Sequence, residues 1–191
     1  MDVQNDFCEG GSLAVAGGTQ VARAISGYLA SPASDNYAHI LATQDYHVDP
    51  GSHFSAHPDF VTTWPAHCVA GTPGADFHPG LDTTRIEAVF RKGAHSAAYS
   101  GFEGADAGGV PLGAWLRDQG VTAVDIAGLA TDHCVRATAT DAATAGFATR
   151  VLLALTAGVA PDTVSAALGE MRTAGVELEG SPVLAGTPGT D

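Results

Sequence analysis

From Val121 to Leu178 short apolar runs alternate with helical patterns, and this alternation limits the possible folds more than any other feature of the chain. Val121–Gly128 reads as a strand, Asp132–Ala145 as a helix, Arg150–Leu155 as a strand, Asp162–Ala174 as a helix and Val176–Leu178 as a last short strand. Such alternation builds a parallel sheet covered by helices on both faces. The first half agrees, with helices read over Val21–Ala30 and Pro111–Gln119 and strands over Ala38–Thr43 and Ala88–Arg91. Pro161 and Asp162 mark a helix start, and Gly175 a stop. A chain of 191 residues supports one substantial core. The expectation is a single three-layer α/β/α domain over residues 1–179 with a mostly parallel sheet, followed by a flexible tail, 180–191, too poor in apolar residues to pack.

Charge and cysteines narrow the function. Acidic residues number 21 against 8 Lys plus Arg, a net charge of −13, so a polyanion is repelled and nucleic acid is not an expected partner. No apolar run approaches the roughly 20 residues of a membrane span, and no secretory leader pattern opens the chain. A cytoplasmic protein without a membrane partner is expected, as a monomer or small homo-oligomer. Cys8, Cys68 and Cys134 are odd in number and widely spaced, which fits a reducing compartment and leaves room for a working thiol.

Between residues 45 and 67 the chain gathers one carboxylate and three imidazoles: Asp45, His47, His53 and His67. Asp45 and His47 are two apart, so an extended backbone turns both side chains to one side. His53 and His67 come from a segment punctuated by Asp49-Pro50-Gly51, His57-Pro58 and Trp64-Pro65, which excludes regular helix or strand. A long irregular loop in a compact domain is usually functional. A lone histidine reads as solvated or satisfied in the core, but this cluster reads as a site for one divalent transition metal. Imidazole and carboxylate without thiolate suit Fe, Mn or Zn.

A second constellation centres on Gly128-Leu129-Ala130-Thr131-Asp132-His133-Cys134. A strand ends at Gly128 and a helix begins near Thr131, placing Cys134 in its first turn. The unpaired amides and positive dipole end there are expected to lower a thiol pKa, and the same amides can hold an oxyanion. Taken alone, Cys134 reads as a small buried hydrophobe, and its place at the strand–helix junction brings the nucleophile reading level with that one. A thiol nucleophile needs a base and a nearby cation. Asp2 and Lys92, at the ends of two other strands, are the candidates, since ligands of open α/β sheets gather at the carboxyl ends of strands. Singly, Lys92 also reads as a surface lysine and Asp2 as a turn former.

The segments Asp2–Leu13, Asp45-Tyr46-His47, Trp64–Ala75, Lys92-Gly93, Tyr99–Phe102 and Gly128–Val135, in this order, resemble the nicotinamidase/pyrazinamidase family of the isochorismatase-like hydrolases, most closely its mycobacterial type. The resemblance runs from Asp2 to Leu178. It implies Cys134 as nucleophile, Asp2 as base and Lys92 as third member of a triad. It also implies a metal held by Asp45, His47, His53 and His67, and a substrate pocket lined by Phe7, Trp64, Tyr99, Ala130 and His133. A cis peptide at Leu129–Ala130 would aim the Ala130 and Cys134 amides at the oxyanion. The implied activity is hydrolysis of nicotinamide, and of pyrazinamide, to the acid and ammonia.

Two rivals stand beside this expectation. In one, a metal-bound water attacks and Cys134 is incidental. In the other, the chain is a truncated, non-catalytic binder of metal or pyridine. A homologue acting on isochorismate is a weaker alternative. The family places a strand ahead of its catalytic Asp, whereas here one residue precedes Asp2. The sequence therefore predicts a first strand missing from this chain, a loosely held Asp2 and marginal stability.

Overall fold

The structure, a computed structural model, describes residues 1–184. Four helices and five strands form its frame: α1 (Gly18–Leu29), β1 (Leu41–Asp45), β2 (Ala88–Lys92), α2 (Leu112–Asp118), β3 (Ala123–Leu129), α3 (Arg136–Thr144), β4 (Ala148–Ala157), α4 (Pro161–Thr173) and β5 (Glu177–Glu179). All pairing between strands is parallel, β1 with β2 in one sheet and β3-β4-β5 in another. Among the described residues no helix is long and apolar enough to cross a membrane.

The strands follow from their side chains. Val151, Leu152 and Leu153 are successive and all buried, the run expected of a strand covered on both faces. Two separate clusters do the covering. Val21, Ala22 and Ile25 of α1 meet Leu129 and Ala157, while Ala139, Ala142 and Met171 of α3 and α4 meet Ile126, Val151 and Leu153. Helix α1 lacks a capping side chain of its own; instead the Glu9 carboxylate accepts from Gly17 N–H at 2.6 Å and Thr19 N–H at 2.8 Å. Partial burial opposes ionisation of Glu9, yet the bonds from Thr19 and Gly17 outweigh it and pull its pKa down to about 2. Helix α4 opens on Pro161 and stops before Gly175, which is left-handed at φ 83°.

Each helix and strand lies within about three residues of its expected bounds, β1 opening at Leu41 instead of Ala38, except around Cys134. The expected α-helix from Asp132 opens instead as a π-helical turn, Thr131–Val135, before α3. Val135 N–H reaches back five residues to the Ala130 carbonyl, at 3.1 Å. Two expectations about the chain ends need correction. Within the expected tail, Val183 pairs with Ala157 and packs against the α1 cluster, so the ordered domain runs past residue 179; residues 185–191 lie outside the described residues.

The second correction concerns Asp2, expected to be loose. Met1 and Asp2 splint the two sheets: the Met1 amino group donates to Ala127 O at 2.7 Å and Leu129 N–H to Met1 O at 3.0 Å, while Asp2 N–H donates to Thr43 O at 3.3 Å. Asp2 is 1% exposed. The splint explains Gly128, whose φ is 119° and on which a Cβ would lie 2.0 Å from Met1 O; only glycine fits. Alongside it, between β1 and β3, lies a largely apolar cavity of about 200 Å³ lined by residues including Leu41, Val124, Ile126 and Leu152.

Candidate active site

Three strand ends and the splint converge. Asp45 closes β1, Lys92 closes β2, Cys134 follows β3 in the π-helical turn, and Asp2 lies between β1 and β3. Lys92 Nζ is the hub. It lies 3.1 Å from Asp2 Oδ2, 3.6 Å from Cys134 Sγ and 3.4 Å from Ala98 O, and it forms a very short bond to Asp45 Oδ1. Asp2, Asp45, Lys92 and Cys134 are all buried. One ammonium thus stands against two carboxylates and a thiol, all shielded from solvent.

The electrostatics follow from that arrangement. Burial opposes the charge on Lys92, but Asp2 and Asp45 outweigh it and hold the ammonium well above the usual lysine range. Burial likewise opposes ionisation of Asp45, and Lys92 with His47 holds it well below the usual carboxylate range. The Cys134 thiol is pushed well above its ordinary range, first by burial; Lys92 pulls it down, while Asp2 and Asp45 push it up again. This reverses the expectation of a thiol lowered by the helix start. The dipole acts at the surface of a helix end, whereas here desolvation and two carboxylates outweigh it. Such a thiol rests protonated and needs a base at hand.

Beside this group the three histidines close on one point. The centroid separations are 5.2 Å for His47–His53, 4.9 Å for His47–His67 and 5.4 Å for His53–His67. One ligand nitrogen from each lies within 4.8 Å of the others. His47 Nδ1 bonds the Gly93 carbonyl at 2.6 Å and His67 Nδ1 bonds Pro65 O at 2.8 Å, which turns each Nε2 inward. His47 Nε2 is buried without a hydrogen-bond partner, 3.7 Å from Asp45 Oδ2, and His53 Nδ1 is also unpartnered. Orphaned buried ring nitrogens facing one another are the donor set a metal ion completes. His53 is held down to about 4, by burial and then by His67 and His47, and burial lowers His67 too, so both favour the neutral, ligating form. Gly93 makes room: its φ is 77°, and a Cβ there would lie 2.5 Å from His47 Cε1.

A pocket of about 320 Å³ opens over both groups, with Cys134, Asp45, His53 and His67 among its walls. Phe7, Trp64, Tyr99, Ala130 and His133 also line it. Trp64 meets His133 edge-on at 5.3 Å and donates its Nε1–H to Tyr99 OH at 3.0 Å, and Tyr99 stacks on His133 at 6.3 Å. The Leu129–Ala130 peptide is cis.

Sequence reasoning passed over four residues that hold this site. Gln4 is fully buried, and its amide donates to Asp45 O and Ala75 O and accepts from Asp45 N–H, each at 2.8 Å. Asp6 accepts from Cys68 N–H at 2.7 Å. Asp132, read only as a helix start, accepts from Val159 N–H at 3.0 Å and from the Thr163 hydroxyl, tying the Cys134 turn to α4. Phe54 packs its ring on His47 at 5.1 Å. Gln4 lies in a polar stretch, Asp2-Val3-Gln4-Asn5-Asp6, and neither it nor Phe54 carries a local signal of its role.

This arrangement, a buried thiol, lysine and carboxylate beside a histidine cluster at the strand ends of a parallel α/β fold, marks a class of hydrolase. The isochorismatase domain profile matches residues 1–181, and the chain belongs to that family. It is 66% identical over 178 residues, 93% of this chain and 95% of the relative, to the nicotinamidase/pyrazinamidase of Mycobacterium tuberculosis. The crystal structure of PnC1 from L. infantum in complex with nicotinate superposes with a TM-score of 0.81 at 37% identity, covering 96% of this chain and 92% of that one. The pyrazinamidase of Pyrococcus horikoshii in complex with zinc gives 0.78 at 35% identity, covering 93% and 94%.

Proposed function

We propose that this chain hydrolyses nicotinamide, and pyrazinamide with it, to the carboxylic acid and ammonia through a Cys134 thioester. The observation that carries the reading is Cys134 Sγ lying 3.6 Å from Lys92 Nζ, itself 3.1 Å from Asp2, in the wall of a pocket shared with the histidine cluster. The identity to nicotinamidases supports it. Asp2 takes the thiol proton as sulfur attacks the carboxamide carbon. Lys92 stabilises the developing thiolate, and the Ala130 and Cys134 amides receive the oxyanion. Asp2 returns its proton to the leaving nitrogen, and ammonia departs. Asp2 then deprotonates a water that attacks the thioester, releasing the acid and restoring the thiol. Phe7, Trp64, Tyr99 and His133 sandwich the ring and exclude water.

Asp45, His47, His53 and His67 would hold one Fe, Mn or Zn ion, which when bound supplies a Lewis-acidic anchor for the ring nitrogen. Protein purified without chelator is expected to contain about one such ion per chain. His53→Ala and His67→Ala should each lower metal content, and turnover by about tenfold or more. Elemental analysis beside ammonia release from nicotinamide, with and without chelator, tests both claims. Full metal occupancy in a His47→Ala, His53→Ala double variant excludes this site. No ammonia from the untreated chain excludes the activity.

A further inference from the structure

We propose that Thr43, a residue of β1, is a positioning residue that clamps Asp2 in the orientation needed to take the Cys134 proton; this rests on the thioester reading above. The Thr43 hydroxyl touches Asp2 twice. It donates to Asp2 Oδ1 at 2.6 Å and accepts from Asp2 N–H at 3.3 Å. A hydroxyl has one proton, and although Met1 Sδ also lies within 3.3 Å, a carboxylate oxygen is a far stronger acceptor than a thioether. The proton therefore goes to Oδ1. That leaves Oδ2 buried without an aligned hydrogen bond, 3.1 Å from the Lys92 ammonium, which is the oxygen available to the thiol.

The clamp is itself rigid. Thr43 is 5% exposed, and its methyl group faces Gly101, where a Cβ would come within 3.0 Å of Cγ2. A β-branched side chain whose methyl is fixed has its hydroxyl fixed as well. Asp2 needs such support because its backbone is at a left-handed φ of 48°. Thr43 holds both its main chain and its carboxylate.

Thr43→Val keeps shape and burial but removes the hydroxyl, and Thr43→Ser keeps the hydroxyl. With nicotinamide, Thr43→Val should lower kcat by about 10- to 100-fold, the range for a misplaced general base, and leave KM within about twofold. Thr43→Ser should return kcat to within about threefold of the unaltered protein, with metal content alike in all three. The rate of Cys134 alkylation by iodoacetamide, followed by peptide mass, needs no amide substrate and should slow in Thr43→Val but not in Thr43→Ser. The clamp is overturned if the two variants are equally impaired, if Thr43→Val matches the unaltered protein, or if its kcat loss equals its unfolded fraction. An alkylation pattern as expected in a protein that releases no ammonia would sink the amidase reading and leave the clamp standing.

Discussion

Cys134→Ala is expected to reduce ammonia release from nicotinamide by at least about 10⁴-fold, the scale seen when a nucleophile is removed from a catalytic unit. Cys134→Ser should not rescue it. An alcohol is a far weaker acid than a thiol, and this buried position, with two carboxylates close by, already opposes anion formation. Folding should be little affected, because the side chain is small. The same variant separates the two chemistries open to a site that holds both a thiol and a histidine cluster. A metal-bound water needs no thiol, so turnover within about tenfold of the unaltered protein would show that Cys134 is a bystander. A trapped thioester, seen as the acyl mass on the Cys134 peptide after acid quench, would confirm the opposite.

Lys92→Met should be damaging in a different way. Methionine fills similar volume, but Asp2 and Asp45 then lose the cation between them, and removing one partner of a buried ionic group costs about 3–5 kcal/mol. Turnover should fall by at least about 10³-fold as well, since sulfur loses the charge that stabilises it. The pH dependence distinguishes this from a packing defect. In the unaltered protein Asp45 is held below its unfolded pKa, so its contribution is present above about pH 4 and fades as pH falls below that value. In Lys92→Met the orphaned carboxylates gain by taking up protons, so the deficit should be greatest near neutrality and shrink on acidification. Denaturant midpoints between pH 4 and 8, with chelator present throughout, measure both curves. A deficit independent of pH would show that Lys92 matters only for its bulk.

The parts of the molecule legible in the sequence are those whose signals are local. Val151-Leu152-Leu153 is a continuous apolar run that, between two helical patterns, reads as a buried strand. Pro161 and Gly175 punctuate α4 at both ends. Asp45, His47, His53 and His67 are near in sequence and interrupted by turn residues, so their convergence could be anticipated. What escaped depends on partners far along the chain. The raised thiol of Cys134 is set by Asp2, Asp45 and Lys92, delivered by separate elements, and no local pattern near Cys134 announces them. The π-helical turn at Thr131–Val135 differs from an ordinary helix start in two bonds that reach back five residues, Val135 to Ala130 and Arg136 to Thr131. Thr43 reads as any strand threonine until Asp2 is seen against it.

The place of the base has one more consequence. Asp2 sits on the seam between two half-sheets, held to β3 through Met1 and to β1 through Thr43. It is therefore a fastener as well as a reagent. Any motion that parts the halves removes the carboxylate from the thiol at once, while β1-β2 and β3-β4-β5 each keep their own ladders. On warming, turnover should fade reversibly several degrees before the far-ultraviolet signal changes. The enzyme would switch off by unzipping at its own active site, not by melting.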